Sequence, residues 1–264
     1  MPELPEVETL VRRLQPIANM RIVGVEILDD RLDVDGRALI GASIREVRRR
    51  GKYIVIDLSD RGDLIVHLRM SGRLRLDRTE AEVGYTRMIL HLDSGDSVYF
   101  VNPRRLGTVV LCPDGFDVPL GVEPTAAEFT IERLGTFTAR SRAPIKQLLL
   151  DQRKIAGIGN IYAAEALWRS GIDPRRPANT LRREEIAALH EGITSVLFDA
   201  IEQLGTTIGS SVSDYRPSAG SGGSFQNRLA VYGREREPCE RCGANIERVV
   251  QAGRSTCFCP ACQT

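Results

Sequence analysis

The chain has 264 residues, 42% of them hydrophobic, with 36 Lys and Arg against 35 Asp and Glu for a net charge of +1. That apolar content suffices for one large or two moderate cores and excludes a disordered chain. No apolar run approaches the ~20 residues that span a bilayer and no signal peptide precedes the charged start, so a cytoplasmic protein is expected. The near-neutral total argues against a nucleic-acid partner, but the charges are segregated: Arg45, Arg48, Arg49, Arg50 and Lys52 crowd one stretch, a second arginine-rich region runs from Arg140 to Arg183, and Cys112 to Glu132 holds acids without a basic residue.

Pro2-Glu3-Leu4-Pro5-Glu6-Val7 follows the initiator methionine. Methionine before proline is readily trimmed, which would make the secondary amine of Pro2 the N-terminus. An α-amino group titrates near pKa ~8, so an appreciable fraction is nucleophilic at neutral pH. Attack on an aldehydic carbon gives an iminium that cannot shed its charge as a neutral imine and serves as an electron sink. Glu3 adjoins this amine and Glu6 lies one helical turn on, so two carboxylates are available for acid–base work. Val7, Leu10, Val11 and Leu14 recur at helical spacing, which predicts a helix starting just after Pro2. Its dipole disfavours the protonated amine and the glutamates favour it. These residues taken alone equally describe an acidic cap on a surface helix.

From Ile22 to about Leu111 the pattern is strand-like. Tyr53 to Leu58, a turn at Asp60 to Asp63 and Leu64 to Leu68 predict one hairpin; Arg87 to Leu92, a turn at Asp93 to Asp96 and Ser97 to Val101 predict another. Short strands with tight turns indicate an antiparallel sandwich or barrel with the N-terminal helix packed on it. In Arg50-Gly51-Lys52-Tyr53 the glycine permits close backbone approach, and Lys52 is either solvated or placed for a ligand. His67-Leu68-Arg69-Met70-Ser71-Gly72 and Asn102-Pro103-Arg104-Arg105-Leu106-Gly107 set an apolar side chain beside arginine at a strand end. That fits a packed loop or a wedge into a base stack. His67, His91 and His190 have no Ser or Cys nucleophile context and are expected to be structural.

Cys112 to Pro124, acidic and proline-bearing, reads as an interdomain connection, because the periodicity turns helical beyond it. Lys154 to Tyr162, with glycines at 157 and 159 and Asn160 as a cap, leads into a helix over Ala163 to Arg169. Free N–H groups there would suit phosphate, while the dinucleotide fingerprint fails for want of a preceding strand and a third glycine. Ile186, Leu189, Ile193, Val196, Leu197, Ala200, Ile201 and Leu204 predict an amphipathic core helix ending at Gly205. Ser210 to Ser224, rich in serine and glycine, is a mobile loop of the second domain or an inert linker. Cys239-x-x-Cys242, sixteen residues, then Cys259-x-x-Cys262 has the spacing of a four-cysteine zinc site on a hairpin. Soft thiolates with no position left open select one structural zinc; a redox role for two CxxC pairs is the rival, and the tiny surrounding core favours metal. Cys112 and Cys257 fall outside the pattern as ordinary apolar side chains. Arg254, at a predicted tip, can present its guanidinium to a phosphate or rest in solvent.

MPELPEVETL and the later motifs resemble the formamidopyrimidine-DNA glycosylases, bifunctional base-excision enzymes, over nearly the whole chain; the related endonuclease VIII branch usually has glycine where Leu4 stands. The resemblance implies an α+β multidomain fold: a catalytic N-terminal antiparallel β-sandwich with a flanking helix over 2–115, a linker over 116–130, a helix-two-turn-helix DNA-binding domain over 131–225 with a lesion loop at 210–224, and a zinc finger over 228–264. It implies Pro2 as the nucleophile with Glu3 and Glu6 beside it, Lys52 on phosphate and as proton donor in strand cleavage, and Arg254 on the lesion's phosphates. Met70 and Leu106 would fill the void left by a flipped nucleotide, Arg104 would pair with the orphaned base, and Arg142, Lys146 and Asn160 would hold backbone phosphates. Tyr85 is a further expected DNA contact, in a stretch where the family usually has histidine. Leu106 replaces the usual phenylalanine, Cys257 the usual aromatic, and the 210–224 loop lacks the usual acid before its glycine pair. The implied function is excision of oxidised purines (8-oxoguanine, formamidopyrimidines) from damaged double-stranded DNA, with β,δ-elimination through a Pro2 iminium, by a monomer that needs no protein partner and no membrane. Two rivals remain: a preference for oxidised pyrimidines, and a zinc-dependent binder of damaged DNA without catalysis.

Overall fold

The structure, a computed structural model, describes every residue except Arg78 and 208–222. The described residues form two compact units: Met1–Val118 with the described part of Gln203–Ser224, and Pro119–Glu202 with Phe225–Thr264. No helix among them is long and apolar enough to cross a membrane.

In the first unit, α1 (Leu4–Leu14) forms because Leu4, Val7, Leu10, Val11 and Leu14 share one face, and all five are buried. Pro5 in the first turn gives up an N–H that has no helical acceptor there anyway. The chain continues through β1 (Ile22–Ile27), the one-turn α2 (Gly36–Leu39), β2 (Ile44–Arg50), β3 (Tyr53–Leu58), β4 (Gly62–His67), β5 (Arg73–Arg75), β6 (Thr86–Leu92), β7 (Ser97–Val101) and β8 (Thr108–Cys112). These make two four-stranded antiparallel sheets, ordered β1-β6-β7-β5 and β2-β3-β4-β8. The β3–β4 register sets Ile54 opposite Val66 and Ile56 opposite Leu64. Those four pack in one core with Leu90, Val98 and Phe100 of the other sheet and with Leu10 and Leu14 of α1. This is the expected sandwich with its helix.

The arginine run at 45–50 is not a bare cationic stripe. Arg48 donates to Asp63 Oδ2 at 2.8 Å, and Arg49, only 10% exposed, donates to Glu8 Oε2 at 2.9 Å. Sequence density of charge overstates the field where opposite charges from other strands fold onto it.

The second unit contains α3 (Ile131–Ala139), α4 (Ile145–Leu150), α5 (Asn160–Arg169), α6 (Arg183–Glu202) and the hairpin β9 (Glu247–Gln251) and β10 (Arg254–Phe258). α6 buries the expected stripe of Leu189, Ile193, Val196, Leu197 and Ala200 in one core with Tyr162, Leu167 and Phe225, and Ile201 is buried as well. It stops before Leu204 and Gly205, whose φ of 60° and 78° are left-handed. Glu165 on α5, nearly sealed from solvent, accepts from the N–H groups of Ala230, Val231 and Tyr232 at 2.8–3.0 Å, which fixes the approach to the hairpin. Burial pushes its carboxyl up, and the three amides oppose that.

Two boundaries differ from expectation. The stretch 116–130, expected as a linker, is packed from Gly121 onward: Gly121 and Val122 donate to the carbonyls of Gln152 and Lys154 at 2.8 and 3.0 Å, and Phe129 joins the helical core. Residues 203–207 and 223–224, expected within the second domain, group with the first unit because Thr206 is bonded to Glu6. The rest of the 210–224 loop lies outside the described residues.

Phe100 is fully buried where the two sheets meet. Phe100→Ala is expected to lower unfolding free energy by about 3–5 kcal/mol, read from urea denaturation with an unchanged m-value.

Candidate active site and zinc centre

Pro2 is buried at the head of α1, as are Glu3 and Glu6. The amine at the chain's start, carried here by Met1, is held below its ordinary 8.0: burial lowers it most, Glu3 and Glu6 raise it, and Lys52 and Arg104 lower it. The four charges arrive from α1, from the β2–β3 turn and from the turn between β7 and β8. Lys52, 6% exposed, is not the solvated lysine its turn suggested; Gly51, at φ 58°, carries the backbone around to bring it in.

Glu6 differs from Glu3 in its engagements. Its Oε2 accepts from the Glu3 N–H at 2.8 Å, and its Oε1 accepts from the N–H and Oγ1 of Thr206 at 2.8 and 3.0 Å. Expected as an acid–base group, Glu6 is built instead as an anchor between the N-terminus and the 203–207 segment. A Cβ on Gly205 would meet its carboxylate at 2.8 Å, so only glycine fits there.

The two turns with apolar side chains present them outward: Met70 is 43% and Leu106 53% exposed, with Arg104 exposed beside Leu106. Both backbones are braced. Gly72 donates to the Leu68 carbonyl at 2.9 Å, and Arg69, left-handed at φ 54°, donates its N–H to His67 Nδ1 at 3.0 Å. In the second turn Asn102 Nδ2 donates to the Gly107 carbonyl at 3.3 Å. Tyr85 is 39% exposed, and its carbonyl accepts from the Asn102 N–H at 2.8 Å. His67 is buried edge-on to Tyr53, with its pKa pushed down to about 4 by burial first and then by Arg69 and Lys52.

In the second unit, Lys146 is 1% exposed and donates to the Ser255 carbonyl at 3.1 Å and to Thr256 Oγ1 at 2.8 Å. Expected on phosphate, its ammonium is sealed inside and holds the hairpin. Asn160 was expected as a cap, but the cap position is Gly159; Asn160 opens α5 and its Nδ2 donates to the same Ser255 carbonyl at 3.0 Å. Two side chains from α4 and α5 therefore fix the backbone next to Arg254. Arg254 is exposed just after the left-handed turn Ala252-Gly253, and Arg142 is exposed before α4.

The Sγ atoms of Cys239, Cys242, Cys259 and Cys262 lie within 4.8 Å of one another, with Cys239 and Cys262 at 4.0 Å and Cys242 and Cys259 at 3.5 Å. Zinc–sulfur bonds of about 2.3 Å in a tetrahedron put sulfurs about 3.8 Å apart. The four thiols fit that ion, and a Cys262 N–H directed at Cys259 Sγ at 3.4 Å adds the amide support of a zinc knuckle. Cys257 packs in the small core beneath, outside the cluster.

Sequence reasoning missed Thr206, Asp29 and the buried group in which Arg73 and Arg75 both donate to Glu82. Arg105, within the Asn102–Gly107 motif, was the one available hint, since paired arginines at a turn invite a search for the partner of the second.

Residues 1–109 match the profile of the formamidopyrimidine-DNA glycosylase N-terminal domain, 120–212 that of the H2TH domain of the same enzymes, and 236–264 that of a zinc finger found in FPG and IleRS. The class so defined is a DNA glycosylase with abasic-site lyase activity that carries one structural zinc. Formamidopyrimidine-DNA glycosylases of Paracoccus denitrificans and Chloroflexus aggregans are 42% and 44% identical, each across 100% of this chain and 100% and 98% of theirs. The chain belongs to the formamidopyrimidine-DNA glycosylase family. The crystal structure of the MutM (FPG) protein from Thermus thermophilus superposes with a TM-score of 0.89 at 42% identity, over 99% of this chain and 98% of that one. A Lactococcus lactis FPG mutant in complex with Fapy-dG-containing DNA gives 0.88 at 34% identity over 100% of both chains.

The depressed His67 sets a pH dependence. The unfolded imidazole binds its proton below about 6.5, the folded one only below about 4, so His67 costs stability as pH falls through that window. At ~1.4 kcal/mol per pH unit the loss is about 3 kcal/mol. His67→Gln is expected to flatten stability between pH 6.5 and 4 in denaturation series. For the metal, one equivalent of zinc per chain is expected on mercurial titration, and its removal should open 236–264 to protease while leaving Met1–Val118 protected.

Proposed function

We propose that this chain excises oxidised purines such as 8-oxoguanine and formamidopyrimidines from duplex DNA and then cuts the abasic strand, using the nitrogen of Pro2 once Met1 is removed. The observation that carries this reading is the buried head of α1, where the chain's terminal amine, carried here by Met1, is lowered by burial and feels the charges of Glu3, Glu6, Lys52 and Arg104.

The target nucleotide leaves the stack, since its glycosidic carbon is out of reach within it. The Pro2 nitrogen bonds to C1′ while the C1′–base bond breaks, and the base departs with a proton. Glu3 passes a proton to the ring oxygen as the sugar opens, which leaves an iminium between Pro2 and C1′. That cation acidifies C2′–H; loss of this proton expels the 3′ phosphate by β-elimination. A second proton loss further along the opened sugar expels the 5′ phosphate by δ-elimination, and water on the iminium frees the enzyme. Lys52 sits on phosphate and supplies a proton during cleavage, and Arg254 neutralises the departing phosphate, with Lys146 and Asn160 acting on it through Ser255. Met70 and Leu106 occupy the emptied stack, Arg104 meets the orphaned base, and Arg142 and Asn160 hold backbone phosphates, with Tyr85 at the edge of the contact.

Borohydride added during reaction with 8-oxoguanine DNA is expected to trap one covalent adduct per chain. Peptide mapping should place it on Pro2. Pro2→Gly, or retention of Met1 with its amide at Pro2, should reduce trapping and excision by at least about 10²-fold. Full-speed excision by the Met1-bearing form would refute the amine mechanism.

A further inference from the structure

Asp29 lies in the loop after β1, with its side chain 2% exposed. Arg105 grips it with both arms of its guanidinium: Nε donates to Oδ2 at 2.7 Å and Nη2 donates to Oδ1. Oδ1 also accepts from the Arg31 N–H at 3.1 Å. On the other side Arg87 Nε stands 3.7 Å from Oδ2 and donates to the Asn102 carbonyl at 3.3 Å. One buried carboxylate is thereby tied to both ends of the turn, directly at Arg105 and through Arg87 at Asn102.

The turn needs such a hold. Arg105 is left-handed at φ 52°, a conformation that costs a non-glycine residue about 1–2 kcal/mol. Arg104 and Leu106 flank it, both exposed. If Arg105 relaxed to an ordinary backbone, the two neighbours would swing to other directions. Asp30, beside Asp29 and 92% exposed at 3.3 Å from Arg105, is too solvated to substitute for the buried partner. The Arg105 pairing holds the Asp29 carboxyl down to about 2, so the clamp stays charged at every pH where the enzyme would work.

We infer that Asp29 is a positioning residue for opposite-base discrimination: through Arg105 and Arg87 it fixes the direction in which Arg104 and Leu106 enter the duplex. The inference rests on the proposed reading of Arg104 and Leu106 as the groups that probe the helix. It names a residue sealed from solvent that lies 76 positions from its partner in the sequence.

The test compares Asp29→Asn, which keeps the shape and removes the charge, with Arg105→Ala, which breaks the same contact from its more exposed side, and with the double variant. Two quantities are read: the ratio of 8-oxoguanine excision opposite cytosine to that opposite adenine, and cleavage of a preformed abasic site in single-stranded DNA, where no opposite base exists. Each single variant is expected to lose about tenfold of the ratio, the size of one charge-assisted hydrogen-bonded pair, and the double variant no more than either. Single-stranded cleavage should stay at the parent level. Arg104→Ala separates the two layers of the argument. If it leaves the ratio intact, the probing role itself is wrong. If it lowers the ratio while Asp29→Asn and Arg105→Ala do not, the Asp29 inference is overturned. Equal losses on both substrates would also overturn it, since they would show a merely structural role. Should Asp29→Asn not fold, Arg105→Ala decides by the same readings.

Discussion

Desolvation at the chain's start is the constraint that the first unit is arranged around. Closing Glu6 off from water would cost several kcal/mol if its oxygens went unpaired. The fold meets that cost with three donors, one from the helix head and two from Thr206, roughly two hundred positions away in the chain. The same exclusion of water depresses the neighbouring amine. One enclosure thus sets both effects: it obliges Glu6 to find partners within the fold, and it lowers the amine that Met1 carries, against the opposing charge of Glu3 and Glu6.

Features set by local pattern could be seen in the sequence. The helical face of Leu4 to Leu14, the two hairpins and the α6 stripe depend on periodicity, and the CxxC pairs on ligand spacing; each is a short-range rule. Glycine-bearing turns were legible as turns, but not in what they carried. Its local sequence left Lys52 either solvated or placed for a ligand, and it is buried; Lys146 looked like a phosphate contact and supports a hairpin. In both cases the determining neighbours come from other elements, so nothing within a few residues could reveal them. The Asn160 cap failed for a subtler reason: Gly159 can supply the extended backbone a cap needs without a side chain, which frees Asn160 to reach Ser255. Asp29 had no signal at all, being one of four aspartates within seven residues, Asp29, Asp30, Asp33 and Asp35, with nothing local to single it out.

The charge distribution follows from the same long-range pairing. Basic clusters in the sequence suggested an open cationic face, yet Arg48, Arg49, Arg73, Arg75, Arg105, Arg169 and Arg176 all meet carboxylates within the fold. Arginine suits this use because its planar fork fixes direction as well as charge. Pairing takes these arginines out of the surface field, while others such as Arg142 and Arg254 stay exposed. Arg105 shows what such a pair does locally: lost to the surface potential, it ties the left-handed turn that bears the exposed Arg104 and Leu106 to the buried Asp29.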